Sequence, residues 1–189
     1  MKKFDHATNK RKPYLFLLTG HPGSGKSYFA KQFAKDNGYR YLSIDDMYAT
    51  FNGDPHSHDN KFDVWMTFWR QIHAAEMAGH NVVIDTNAPT RLDRNEFLNW
   101  FASFEHHLIW VDASEELCLR NNTNRSRVIP EEQMKTMFSF FEPPTSFDTR
   151  DHNRATWKSI SYVPNNDNHF GERITISGEF PEGVFINNK

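Results

Sequence analysis

The chain has 189 residues, a size that fits one compact domain with a buried core. Its 22 Lys and Arg residues nearly balance 24 Asp and Glu residues, and the formal net charge of -2 excludes a strong overall field that would attract a polyanion. The single cysteine, Cys118, excludes an internal disulfide framework, and no apolar run approaches the roughly 18 residues of a membrane span. We therefore expect a cytoplasmic protein with no membrane part.

Five short apolar runs predict the strands of a central parallel sheet. Longer segments of helical periodicity separate these runs, and such alternation is typical of a three-layer α/β fold in which helices flank the sheet. A later run, ERITISG (172–178), predicts one more strand or hairpin arm. The five runs are YLFLLT (14–19), YLSI (41–44), NVVIDT (81–86), HLIWVD (107–112) and SISYV (159–163).

Start and stop signals predict five helices around these strands. Gly38 is a typical stop for the first helix, Thr90 is a typical N-cap, and Ser114 followed by two glutamates is a typical helix start. The predicted helices cover residues 27–35, 62–78, 91–104, a segment that begins after Ser114, and a segment from Pro130 to Pro143. Residues 1–13 predict a basic N-terminal arm, and residues 14–189 a single domain.

The segment between the first strand and the first helix, TGHPGSGKSYF (19–29), matches the pattern of a phosphate-binding loop. Its glycines leave successive backbone N–H groups open toward a phosphate, Lys26 supplies a positive charge, and the Ser27 hydroxyl can ligate Mg²⁺. The spacing of the glycines does not match the G-x-G-x-x-G pattern of a dinucleotide site. We predict that ATP and Mg²⁺ are bound by Gly20, Gly23, Ser24, Gly25, Lys26 and Ser27.

The end of the third strand favours a kinase over other users of nucleoside triphosphates. Asp85 stands where a carboxylate that supports the magnesium shell usually lies, but Thr86 and Asn87 follow it instead of the glutamate of an ATPase motor. The Asp-x-x-Gly switch that follows the third strand of regulatory GTPases is also absent from the sequence.

Two acids, Asp45 and Asp46, follow the second predicted strand at the edge of the sheet where the phosphate loop lies. A carboxylate within hydrogen-bond reach of an alcohol can take its proton during phosphoryl transfer, whereas a phosphate acceptor needs no such base. Asp45 is therefore the candidate base, and the acid pair favours an alcohol as the acceptor. The alternative is that both acids only cap the next helix.

Three arginines, Arg120, Arg125 and Arg127, lie in LRNNTNRSRVIP, a link between two predicted helices. This link forms part of a predicted lid around residues 120–142. An arginine carried by the lid could stabilise the charge that develops between donor and acceptor. The alternative is a solvated surface run.

Taken together, the phosphate loop, the acid pair, VVIDTN, the arginine link followed by V-x-P, and FEPPT resemble the kinase domain of phage polynucleotide kinases and the wider P-loop kinase family. The resemblance spans residues 14 to 147. It implies that Asp45 acts as base toward a 5'-hydroxyl of DNA or RNA. It also implies that the lid arginines are Arg120 and either Arg125 or Arg127.

Tyr48 departs from that family, which carries an arginine there to hold a phosphate of the acceptor. Arg70, Arg91 or Arg94 could replace it. We predict that the acceptor substrate is bound by Asp46, Tyr48, Asp85 and Asn87. Two further hypotheses stay open: a small-molecule kinase that acts on a nucleoside or sugar nucleotide, similar to zeta-toxin kinases, and a nucleotide-dependent regulatory module that transfers no phosphate.

Overall fold

A sheet of mainly parallel strands carries helices on both faces. The computed structural model describes residues 11–53, 59–125, 128–145, 148, 156–171 and 174–179. The strands are β1 (Tyr14–Thr19), β2 (Arg40–Ser43), β3 (Val82–Asp85), β4 (Glu105–Asp112), β5 (Ser159–Asn166), β6 (His169–Phe170) and β7 (Ile174–Gly178). The helices are α1 (Lys26–Asn37), α2 (Ile44–Asn52), α3 (Lys61–Ala78), α4 (Arg91–Trp100), α5 (Glu115–Thr123) and α6 (Glu131–Ser139).

The sheet has the strand order β2-β3-β1-β4-β5-β6, with β7 paired to β5. Strands β1 to β5 run parallel, whereas β6 and β7 are antiparallel to β5. The predicted central parallel sheet is therefore confirmed. Because parallel strands end at one edge, the phosphate loop after β1, the acid pair after β2 and Asp85 at the end of β3 meet there.

Side chains of β1 alternate between two apolar cores, which is why the fold has three layers. Leu15 and Leu17 belong to the core that is covered by α2, α3 and α4. Phe16 and Leu18 belong to the core that is covered by α1. A third, smaller core joins α5 to α6 through Leu117, Cys118, Met134 and Phe138, together with Ala113.

Several predicted boundaries differ from the structure by one or more residues, and three of the differences have a local cause. β2 stops at Ser43, one residue early, because the Ser43 hydroxyl caps α2 by accepting the Asp46 N–H at 3.3 Å. α4 ends at Trp100 and not at residue 104, since Phe101 and Phe104 turn into the core. α6 ends at Ser139, before Pro143, because the Glu142 N–H donates to the Pro89 carbonyl and draws the chain toward α4.

The C-terminal hairpin arm predicted at residues 172–178 is present as β7, whereas β6 is too short to be read from a pattern. Of the predicted N-terminal arm, residues 1–10 lie outside the described residues. Within the part of the chain that the structure describes, no helix is both long and apolar enough to cross a bilayer.

Candidate active site

The phosphate loop occupies residues 20–25, between the end of β1 and the start of α1. Gly23 and Gly25 have φ values of 84° and 92°, a region that side chains disfavour. A Cβ atom on Gly23 would lie 2.4 Å from the Cys118 carbonyl oxygen of α5, and one on Gly25 would lie 2.9 Å from Asn165 Nδ2 of β5. The loop is thus held tightly between α5 and the β5–β6 hairpin.

Polar side chains from distant segments fix the loop backbone. Asn165 Nδ2 donates to the Ser24 carbonyl at 2.8 Å, and Asn121 Nδ2 donates to the Gly23 carbonyl at 2.9 Å. Asn121 also exchanges hydrogen bonds with the side chain of Asn168, in the turn between β5 and β6. Sequence reasoning missed these three asparagines, because a single amide side chain far from a motif gives no local signal.

Lys26 lies among several charged groups. Its Nζ donates to the carbonyls of Gly20 and His21 at 2.8 and 2.7 Å. Burial lowers the pKa of Lys26 to about 8, against the opposing negative charges of Asp85 and Asp45, while the positive charge of Arg125 lowers it further. These side chains are therefore close enough to Lys26 to influence its charge.

One open cleft of ≈ 500 Å³ joins the phosphate loop to α2, α3 and the lid. Among the residues predicted from the sequence, it brings together Gly23, Gly25, Lys26, Ser27, Asp45, Tyr48, Asp85, Asn87 and Arg125. Ser24, a residue of the loop, is fully buried. Asp46 is exposed on α2 and does not line the cleft. Gly20 lines a smaller cavity of ≈ 200 Å³ on the α6 side of the loop.

His21 of the phosphate loop contacts the C-terminal end of α6 and the residues that follow it. Its ring lies 4.9 Å from that of Phe138 and 4.5 Å from that of Phe141. Burial and the neighbouring charge of Lys26 lower the pKa of His21, so the ring packs as a neutral group near pH 7. A variable position of the loop motif thus packs against the end of α6.

Asp85 is buried at the end of β3, and its Oδ2 accepts a hydrogen bond of 2.7 Å from the Tyr41 phenol. Asp85 and Ser27 line the same cleft. The described residues hold no group of three or more His, Cys, Asp or Glu side chains that could form an all-protein metal cage. One carboxylate and one hydroxyl next to a phosphate loop instead fit Mg²⁺, which is commonly held by few protein oxygens together with phosphates and water.

The arginines of the predicted lid occupy different positions. Arg125 lines the cleft. Arg120 is half exposed and pairs with Asp167 in the β5–β6 turn, outside the residues that line the cleft. Arg127 lies outside the described residues. The structure thus separates two arginines that the sequence could not distinguish.

Two of the arginines suggested as replacements at the Tyr48 position are used elsewhere. Arg94 is 1% exposed, and its guanidinium donates to the carbonyls of Pro89 and Glu142 at 3.1 and 2.9 Å. Arg91 pairs with the buried Asp148. Together they fasten the segment after α6 to the loop that follows β3. Neither they nor Arg70 line the cleft.

The side of the cleft opposite the phosphate loop is formed by Ile44, Asp45, Tyr48, Lys61 and Trp65, which we name the α2–α3 wall. Tyr48 is 4% exposed and its phenol accepts a hydrogen bond from the Trp65 indole; burial raises its pKa. Sequence reasoning found Asp45 and Tyr48 but missed Lys61 and Trp65. Their spacing of four residues was the available signal, because it puts both on one helix face.

Comparison with known proteins agrees with this arrangement. A family described as "AAA domain" matches residues 15–144. A Schizosaccharomyces pombe protein named "Probable gluconokinase" is 25% identical over 152 residues, which cover 74% of this chain and 78% of the relative. The residues matched by the family include the phosphate loop, the acid pair and the predicted lid.

Solved structures share the fold. A gluconokinase from Sinorhizobium meliloti 1021 has a TM-score of 0.54 and 19% identity, over 82% of this chain and 83% of its own. A chain of the Pnkp1/Rnl/Hen1 RNA repair complex has a TM-score of 0.61 and 18% identity, over 75% of this chain and 52% of its own. The family match covers well over half of the sequence, and the chain therefore belongs to this AAA domain family, within the P-loop kinases.

Proposed function

We propose that the protein transfers the γ-phosphoryl group of ATP, bound with Mg²⁺, to the hydroxyl group of an alcohol. The observation that carries this proposal is the single cleft that joins Lys26 of the phosphate loop to Asp45 of α2. A donor phosphate at the loop and an acceptor hydroxyl at Asp45 would then face each other without any barrier between them.

The donor side is built from backbone and side-chain groups with separate roles. The N–H groups of the loop and the N-terminus of α1 attract the phosphates, and Lys26 adds a positive charge. Ser27 and Asp85 would hold Mg²⁺, which neutralises phosphate charge when it is bound. The burial of Lys26 makes its interaction with phosphate stronger than it would be in water.

Asp45 takes the proton of the acceptor hydroxyl as the alcohol oxygen bonds to the γ-phosphorus. The bond between that phosphorus and the β–γ bridging oxygen breaks, and ADP leaves. Lys26 and Arg125 stabilise the negative charge on the transferred group, as fixed cations do in phosphoryl transfer. Asp46 and Arg120, which do not line the cleft, take no part in this step.

The first candidate acceptor is the 5'-hydroxyl of a polynucleotide. The combination of the acid pair, the Asp85-Thr86-Asn87 strand end and the lid arginines supports it, as does the structural likeness to a chain of an RNA repair complex. The second candidate is a small-molecule alcohol. The buried Tyr48, where polynucleotide kinases carry an arginine, and the relatives named as gluconokinases favour this candidate.

Labelling from γ-³²P-ATP tests the proposal and separates the acceptors. The purified protein is incubated with Mg²⁺ and, in parallel reactions, with a 5'-hydroxyl oligonucleotide, a nucleoside panel, and sugar acids such as gluconate. We expect one acceptor class to become labelled. In a reaction without acceptor we expect no release of labelled inorganic phosphate. If ATP binds but no acceptor becomes labelled, the kinase proposal is wrong and a nucleotide-dependent regulatory module is favoured.

A further inference from the structure

We propose that the α2–α3 wall selects an acceptor alcohol that also carries an anionic group, with Lys61 binding its phosphate or carboxylate and Trp65 packing against its ring or carbon skeleton. This inference rests on the proposed kinase function and adds the chemical class of the acceptor. Nothing in the sequence motifs assigns a role to either residue.

The two helices of the wall present their side chains at matching positions. Asp45 and Tyr48 are three residues apart on α2, and Lys61 and Trp65 are four residues apart on α3. These spacings place each pair on one helix face, and all four side chains line the same cleft. An acceptor whose hydroxyl reaches Asp45 therefore has Lys61 and Trp65 as neighbours.

The positive charge of Lys61 has no protein partner within the described part of the chain, where its ammonium forms no ion pair. Among the described residues, the other cations that line the cleft are Lys26, within the phosphate loop, and Arg125, whose charge acts on Lys26. Those two serve the donor phosphates. Of the cations that the structure describes in the cleft, Lys61 is left for the acceptor side.

Trp65 is held in place by its neighbours. Its indole N–H donates a hydrogen bond to the Tyr48 phenol. Its ring centroid lies 5.9 Å from that of Phe68 and 6.0 Å from that of Trp69. A fixed indole that still lines the cleft offers an apolar surface rather than a hydrogen bond. Such a surface can pack against a sugar or base ring, but it offers no binding partner to a small inorganic ion.

The charges of the wall explain why an anionic acceptor is favoured. The Asp45 carboxylate, needed near the hydroxyl, repels an acceptor that carries negative charge. Lys61 on the neighbouring helix offsets this repulsion and gives the anion a fixed partner, which also sets the direction in which the acceptor lies. An uncharged alcohol gains neither effect.

Two matched pairs of acceptors test the inference. One pair is a nucleoside 3'-monophosphate and the same nucleoside without phosphate; the other is gluconate and the uncharged polyol sorbitol. Steady-state rates are measured at saturating ATP for the wild type, Lys61→Met and Lys61→Arg. Lys35→Met, a change of an exposed lysine on α1 that does not line the cleft, is the control.

We expect the wild type to prefer the charged member of at least one pair. In Lys61→Met the KM of that acceptor should rise about 10- to 100-fold, as expected for a lost charged hydrogen bond, with kcat and the KM for ATP little changed. Lys61→Arg should recover most of the affinity. The pair that responds distinguishes a phosphate from a carboxylate as the natural anion.

Equal use of the charged and uncharged acceptors, with the same rates in Lys61→Met, would overturn the inference and leave the kinase function standing. A lower kcat with an unchanged acceptor KM in Lys61→Met would overturn it as well, because Lys61 would then act in the chemical step. Absence of label in every acceptor would overturn the proposed function together with the inference.

Discussion

The phenol of Tyr41 donates a hydrogen bond of 2.7 Å to Oδ2 of Asp85, across the neighbouring strands β2 and β3. Burial and the Asp85 charge both raise the pKa of Tyr41, so that the phenol remains a protonated donor throughout the physiological range. This bond fixes the direction of the carboxylate that we assign to the magnesium shell.

Tyr41→Phe should weaken the response to Mg²⁺. Removing a group that orients a metal-supporting carboxylate typically costs about 10- to 100-fold in metal affinity or activity. We therefore expect the Mg²⁺ concentration for half-maximal rate to rise about tenfold or more. Tyr39→Phe removes a phenol that packs against Phe16 away from the cleft and is the control. Identical Mg²⁺ titrations for both variants would contradict the role of Tyr41 in orienting Asp85.

Asp45→Asn should lower kcat without affecting the binding of ATP. Loss of a general base costs about 10²- to 10⁴-fold in rate, whereas the donor phosphates contact other groups. Rates with the labelled acceptor and ATP affinities from calorimetry give the two quantities. Asp46→Asn changes the adjacent, exposed acid and should keep full activity. If the two variants lose equal activity, both acids serve α2 rather than catalysis.

The affinity for ATP should fall as the pH rises above about 8. In the free protein burial lowers the pKa of Lys26 to about 8, so the positive charge that attracts phosphate is lost above that value. Each pH unit beyond it should weaken binding by up to about tenfold, and ATP should bind with proton uptake near pH 8.

Calorimetry in buffers of different ionisation enthalpy measures both effects. Lys26→Arg, whose guanidinium stays charged, should bind ATP with little pH dependence over the same range. An equally steep decline in that variant would assign the titration to another group.

Gly23→Ala should abolish ATP binding, because its Cβ would lie 2.4 Å from the Cys118 carbonyl oxygen. Gly38→Ala is the matched control: Gly38 also has a positive φ of 66°, but no atom lies within 4 Å of the added Cβ. Gly38→Ala should lower the free energy of unfolding by about 1 kcal/mol and leave ATP binding intact. Thermal unfolding with and without ATP compares the two. Equal ATP-induced stabilisation would show that the contact with α5 tolerates expansion.

The free energy of unfolding should fall as the pH decreases from about 6.5 to about 4. His106 is 3% exposed, and burial lowers its pKa to about 4. Between these pH values the imidazole is protonated in the unfolded chain but stays neutral in the native state. This difference lowers the free energy of unfolding by about 3 kcal/mol at most. His106→Gln should flatten the pH profile measured by denaturant unfolding, whereas the exposed His80→Gln should not. Parallel profiles for all three proteins would assign the acid sensitivity to other groups.

The sheet and the phosphate loop could be predicted from the sequence because their signals are local. A strand such as YLFLLT is apolar on both faces, and GHPGSGKS combines the glycines, lysine and serine of its function in eight residues. The carboxyl ends of parallel strands then bring Asp45 and Asp85 together without further information.

The separate roles of the lid arginines, and the part of the α2–α3 wall that α3 contributes, could not be predicted in the same way, because these residues acquire roles only through packing. Arg120 and Arg125 are alike in sequence and differ only in which tertiary neighbour they meet. Lys61 and Trp65 belong to an ordinary amphipathic helix until α2 packs beside them. Arg94 resembles a surface arginine and is instead enclosed by backbone carbonyls.

The hydrogen bond from Asn165 to the Ser24 carbonyl spans 141 positions of the chain. During translation the ribosome therefore completes the phosphate loop long before the amide that supports it has been synthesised. A nascent chain that ends before β5 contains the whole phosphate-loop motif but lacks the hydrogen bond from Asn165. We therefore expect nucleotide binding to be acquired late in biogenesis, once the β5–β6 hairpin has packed against the loop.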